Sequence, residues 1–194
     1  MKTLSLSALA GLALGVPDIA QAHGLVGAGL VDGLVHPVGG ADHLLAMVAV
    51  GLVSARIGGV SLYALPGLFL AAMVAGFALA TQASGLVAAS EAGILVSVVV
   101  LGLLMISPAS MLRSAAWLAT ALFGLCHGYA HGVELPATAS PWLYTAGFVA
   151  VSAGLHVTGV LLGKVFLQQA RPEVGFSVAG MAIGLSGLAL VAMR

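Results

Sequence analysis

The stretch Asp32-Gly33-Leu34-Val35-His36-Pro37-Val38-Gly39-Gly40-Ala41-Asp42-His43-Leu44-Leu45-Ala46-Met47 decides how the chain is read. It sets two carboxylates and two imidazoles in an otherwise apolar run and interrupts that run with Pro37, Gly39 and Gly40. Ionisable side chains are costly in hydrocarbon, so those found within a membrane face a pathway, a partner or a site. Proline and paired glycines release backbone groups that a membrane tolerates only where protein or water satisfies them. The pattern predicts a transmembrane helix broken at Pro37–Gly40, with a functional centre at the break.

Composition makes the membrane setting firm. The chain is 61% hydrophobic and 6% charged, with a mean hydropathy of +1.17, where soluble domains carry roughly 25% charged residues. Long apolar runs argue for helices rather than a β-barrel. The expected class is therefore all-α, a polytopic bundle in a lipid bilayer. Net charge is zero with no basic block, which excludes nucleic acid as a partner. A single cysteine, Cys126, excludes an internal disulfide. The 27 glycines suit close helix–helix approach in lipid, and a homo-oligomer is compatible with the same composition.

Residues 1–22 read as a cleaved signal peptide, with Lys2 as the positive region, an apolar core to Val16 and an Ala20-Gln21-Ala22 cleavage site. The alternative is a retained first helix. Cleavage leaves His23 at the mature terminus, where its imidazole and the free α-amine offer two nitrogen ligands. Residues 23–194 then hold six spans: a broken first one over 24–36 and 40–56, followed by 62–83, 86–106, 111–131, 141–167 and 174–193. Each intact span approaches the roughly 20 residues that a 30 Å core requires. A mature N-terminus outside places Arg56, Arg113, Lys164 and Arg171 in the inner connections, as the positive-inside rule expects. Trp117 and Tyr63 then fall near the inner interface, and Trp142 and Tyr144 near the outer one. The location is a bacterial inner membrane with the mature N-terminus in the periplasm.

Depth can be counted from those cations. His43 lies 13 positions from Arg56 and His127 lies 14 from Arg113, which sets both about 20 Å above the inner charges at 1.5 Å per residue. Glu91 descends from the outer end of its span to a similar height. His156 is 8 positions from Lys164, about 12 Å up, and is a candidate inner station. The alternative for His156 is a helix–helix hydrogen-bonding group. His127, His131 and Glu134 share one helical face by their i, i+4, i+7 spacing, although Glu134 also fits a solvated loop. Asp32 fits a capping role as well as a site role. Neutral imidazole with carboxylate suits a first-row divalent cation, so His36, Asp42, His43, His127 and His131 form the expected metal set. Glu91 offers charge compensation, and His156 and His23 are further candidates.

At these residues the chain resembles the HupE/UreJ family of nickel permeases. The likeness rests on His36-Pro-Val-Gly-Gly-Ala-Asp42-His43 with its following apolar helix, on His127-Gly-Tyr-Ala-His131-Gly-Val-Glu134, and on Gly154-Leu-His156. It covers nearly the whole chain, although His23 stands alone where relatives often carry more histidines. The resemblance implies a secondary permease importing nickel, or cobalt, as substrate. It implies no prosthetic group and, downstream, proteins that mature nickel enzymes such as hydrogenase or urease. There is no Walker A pattern for ATP hydrolysis. The competing class is a membrane-embedded zinc metallohydrolase built on the same His/Asp cluster, against which stands the lack of an H-E-x-x-H helix.

Overall fold

The computed structural model describes residues 29–82 and 85–193, the side chains of 109 and 110 excepted. The expected signal peptide, His23, the start of the first span and Arg194 lie outside the described residues. Those described form seven helices and no strand: α1 (Leu30–Gly39), α2 (Ala41–Ile57), α3 (Ser61–Ala80), α4 (Val87–Ile106), α5 (Ala109–Val133), α6 (Pro141–Leu167) and α7 (Pro172–Ala192). Helices α3, α4, α6 and α7 are long and apolar enough to cross a membrane, and α1 with α2 passes the same test as one bent pair. Helix α5, at 25 residues, would run about 37 Å.

The break falls within the expected stretch Pro37–Gly40, at its last residue. Pro37 lies inside α1, which continues to Gly39, and the chain turns by 85° at Gly40. A proline costs most in a helix interior, where it removes a hydrogen bond and crowds the preceding turn. In the last turn of a ten-residue helix that loss is small. Gly40 adopts an extended conformation, φ −110° and ψ 125°, which any residue can take. Its lack of a side chain serves space instead, because a Cβ there would stand 2.7 Å from Asp42 Oδ1 and 3.3 Å from His43 Nδ1.

Helix α2 is the hub and contacts all six others. Ala46, Met47 and every residue from Ala49 to Ala55 are buried, because neighbouring helices surround α2 on all sides and small residues let them approach closely. The helices close on it through small residues. Gly33 of α1 lies against the Tyr144 backbone of α6, and Gly51 of α2 lies against the His156 carbonyl. Added Cβ atoms would drive either pair apart. At the far end of α2, Arg56 donates to the Leu104 and Ser107 carbonyls, both at 2.9 Å. It thereby satisfies acceptors that the end of α4 leaves open. Large apolar side chains such as Leu118 and Met111 point outward. Trp142 and Tyr63 are exposed, as belt residues should be, but Tyr144 is only 1% exposed. The expectation that Tyr144 sits in the outer belt is therefore corrected: its face of α6 packs inward beneath α1.

Candidate metal site

The turn at Gly40 brings the end of α1 and the start of α2 to the upper part of α5. Four imidazoles meet there. His36 of α1 stands 4.7 Å from His131 of α5, centroid to centroid, and 6.0 Å from His43 of α2. His43 in turn lies 4.9 Å from His127 and 5.3 Å from His131. One turn of α5 separates His127 from His131, so the helical spacing alone aims both at the α1–α2 corner.

Each ring is held differently. Asp42 Oδ1 accepts from the His43 backbone amide at 2.8 Å and lies 3.0 Å from His43 Nδ1. At the first turn of α2 the helix dipole also favours this carboxylate. A carboxylate on Nδ1 fixes the tautomer and leaves the lone pair on Nε2, the arrangement by which metal-ligating histidines are oriented. Asp42 thus acts first as the group that aims His43. His127 Nδ1 donates to the Phe123 carbonyl at 2.8 Å, which again leaves Nε2 as the free base. His131 stacks on Phe148 with centroids 4.5 Å apart and planes 2° from parallel. Among the described residues, His43 Nε2, His127 Nε2 and both His131 nitrogens are buried without a hydrogen-bond partner. Leaving such a group unpaired costs about 1–3 kcal/mol, which makes their concentration at one place informative.

His36 forms the rim. Its Nε2 lies 2.7 Å from Glu134 Oε2, just beyond the end of α5. The His36 contact is the main cause holding the Glu134 carboxyl below its ordinary range, so an anionic side chain stands at the mouth of the cluster. Glu134 stands at the C-cap of α5, exposed, and reaches the cluster through His36 rather than standing free in the loop. Tyr144, 6.0 Å from His36 and 6.3 Å from His131, was missed as a neighbour of the site. So was Phe69, which packs on His127 at 5.3 Å. Their positions within apolar runs carry no signal for either contact.

The remaining expected residues lie apart. Asp32 Oδ2 accepts from Gly29 N at 3.1 Å and so caps α1. Glu91 is exposed on α4, a helix that contacts α2, α5 and α7 but not α1. His156 of α6 is buried, and its Nδ1 donates to the Met47 carbonyl at 2.8 Å. Among the described residues, no three His, Cys, Asp or Glu side chains are already placed to hold one ion together. The imidazoles pack edge to face instead, so binding an ion at the roughly 2.0–2.1 Å usual for metal–imidazole bonds requires the rings to turn.

Helices that bury carboxylate-oriented imidazoles behind apolar outer faces define a multi-pass membrane protein with a polar interior, in the manner of a transporter. The comparison with known families agrees. The family description "HupE / UreJ protein" matches residues 11–190, and the chain belongs to that family. It is 38% identical over 180 residues to "Protein HupE" of Rhizobium leguminosarum bv. viciae, covering 92% of this chain and 93% of the relative. No solved structure matches. The family consists of transporters rather than enzymes, which decides against the hydrolase alternative.

Proposed function

We propose that the protein is a secondary permease that imports a divalent transition metal, nickel first and cobalt second, across the bacterial inner membrane to supply metalloenzyme maturation. In this reading residues 1–22 are removed and the mature N-terminus is periplasmic. The spans are then six: the bent α1–α2 pair and α3 to α7. Hydrated metal approaches the Glu134–His36 rim, and its water ligands are exchanged for imidazole nitrogens of His36, His43, His127 and His131. Asp42 orients His43 and balances charge, and Glu91 is a second anion of the outer half. The observation that carries the reading is the convergence of four imidazoles from α1, α2 and α5 whose buried nitrogens are largely unbonded.

Nitrogen donors with a carboxylate suit nickel and cobalt alike, so competitive uptake of the two radioactive ions in cells lacking their own importers discriminates between them. An inside-negative potential already favours a divalent ion by about 2.3 kcal/mol per charge per 100 mV, so no coupled ion is required. The decisive test is substitution at the strongest pair. His43→Ala and Asp42→Ala are each expected to abolish nickel accumulation at trace external nickel while the protein still inserts. Uptake like that of the unsubstituted protein in both variants would refute the site.

A further inference from the structure

The outer cluster does not account for every open imidazole. His156 lies 8 residues beyond Phe148 on α6, about 12 Å further along the helix axis than the ring that stacks on His131. Its Nδ1–H is spent on the Met47 carbonyl. That bond fixes the tautomer and leaves the Nε2 lone pair buried and unpartnered among the described residues. A histidine that served only to join α6 to α2 would need one ring nitrogen, and another donor could replace it. One turn back, Ser152 Oγ is likewise buried and without a partner. The Phe69 ring packs on both His127 and His156, at 5.3 Å and 5.2 Å, so one aromatic side chain touches the innermost ring of the cluster and this separate imidazole. On its other side His156 borders an almost wholly apolar groove between α3 and α6, with Tyr63, Pro66 and Leu70 of α3 among its walls.

We propose that His156 is a second, inner metal station, which takes the divalent ion from the outer cluster through its Nε2. The inference rests on the reading of the outer imidazoles as a metal site. The step is a ligand exchange: a bond from the ion to an outer imidazole breaks and one to His156 Nε2 forms. Both nitrogens are neutral donors, so no proton is released and no electron moves.

The test separates ligation from structure. His156→Asn places an amide nitrogen near the position of Nδ1, which preserves a donor for the Met47 carbonyl and removes Nε2; His156→Ala removes both. Nickel accumulation is measured in cells, and equilibrium nickel binding and thermal stability on purified protein in detergent. Both variants are expected to lose at least tenfold in accumulation while keeping the nickel binding of the outer cluster, with His156→Asn close to the unsubstituted protein in melting temperature. Full accumulation by His156→Asn would overturn the inner station and leave the Met47 bond as the residue's whole role. Loss of nickel binding in a folded His156→Asn protein would also overturn it, by making His156 part of the outer site. Absence of nickel binding in the unsubstituted protein would instead remove the outer site and the inner one with it.

Discussion

The two halves of the bundle treat buried polar groups in opposite ways. On α4, the buried polar side chains close on their own helix: Ser97 donates to the Ile94 carbonyl at 2.6 Å and Ser90 to the Val87 carbonyl at 2.7 Å. Between α4 and α7 the close approach is made by glycines, Gly102 lying against Gly180 and Gly184. Where α2, α5 and α6 meet, eight buried side-chain nitrogens and oxygens have no partner among the described residues, and five of the eight belong to histidines. Both halves sit in the same apolar surroundings, so polarity alone does not explain the difference. A closed half can serve as a scaffold. An open half keeps lone pairs for something that comes and goes, and it gives up stability to do so.

The largest expected effect comes from filling the open half. His131→Phe keeps the stack on Phe148 and removes two unpaired buried nitrogens. It is expected to reduce nickel accumulation to background and at the same time raise stability in detergent by about 1–3 kcal/mol. Thermal or denaturant unfolding of the purified variant beside an uptake assay checks both halves of this statement. A folded variant less stable than the unsubstituted protein would mean that the His131 nitrogens are satisfied after all, and the contrast between the halves would break.

A smaller effect is expected from disturbing the frame that aims a ligand. Gly40→Ala leaves an allowed backbone but sets a methyl against Asp42 Oδ1 and His43 Nδ1. Accumulation at trace nickel is expected to fall about tenfold, a coupling of about 1.4 kcal/mol, with stability changed by less than about 1 kcal/mol. An uptake titration separates the cases. A raised half-saturation concentration is the expected signature, and an unchanged one would show that the Asp42–His43 geometry does not set affinity.

How far the sequence revealed this division depends on which residues are considered. The limits of α6 were legible because Pro141 can open a helix and polar residues from Gln168 onward close it; the expected span 141–167 is the observed helix. Helix α2 was legible as the second half of the broken span, expected over 40–56 and observed over Ala41–Ile57, but its place at the centre of the bundle was not, since lipid and protein are equally apolar neighbours. The depth count from Arg56 and Arg113 put His43 and His127 at one level, and their rings lie 4.9 Å apart. The break was legible to the stretch Pro37–Gly40, but not which of those residues turns the chain. Proline is the stronger helix breaker in general, and only the crowding around Asp42 and His43 makes Gly40 the corner. Tyr144 was misplaced because depth along a helix says nothing about which face is turned inward. The His36–Glu134 contact joins residues far apart in the chain on helices α1 and α5, and no periodicity within either helix encodes it.

In the closed half a large change is expected to act through packing alone. Gly102→Val would set its side chain against the backbone of Gly180 and Gly184, and overpacking of this kind costs about 1–3 kcal/mol. The amount of inserted protein is expected to drop while nickel accumulation per inserted molecule stays unchanged. Quantifying the variant in membranes before normalising uptake makes the distinction. A fall in accumulation per molecule would extend the transport pathway from Glu91 into the α4–α7 interface.

The smallest expected effects form the finest comparison. Ser97 and Ser152 are both fully buried serines on long helices, one closed on a carbonyl and the other without a partner. In Ser97→Ala the lost donor leaves no acceptor stranded, because the Ile94 carbonyl keeps its place in the helical ladder, and stability is expected to shift by no more than about 0.5 kcal/mol. In Ser152→Ala an unpaired hydroxyl is removed from an apolar setting, and stability is expected to rise by about 1 kcal/mol. Unfolding both variants under one set of conditions compares like with like, since the atoms deleted are the same. Equal shifts would show that the Ser152 hydroxyl is satisfied in the membrane, and His156 Nε2 would then stand open without it.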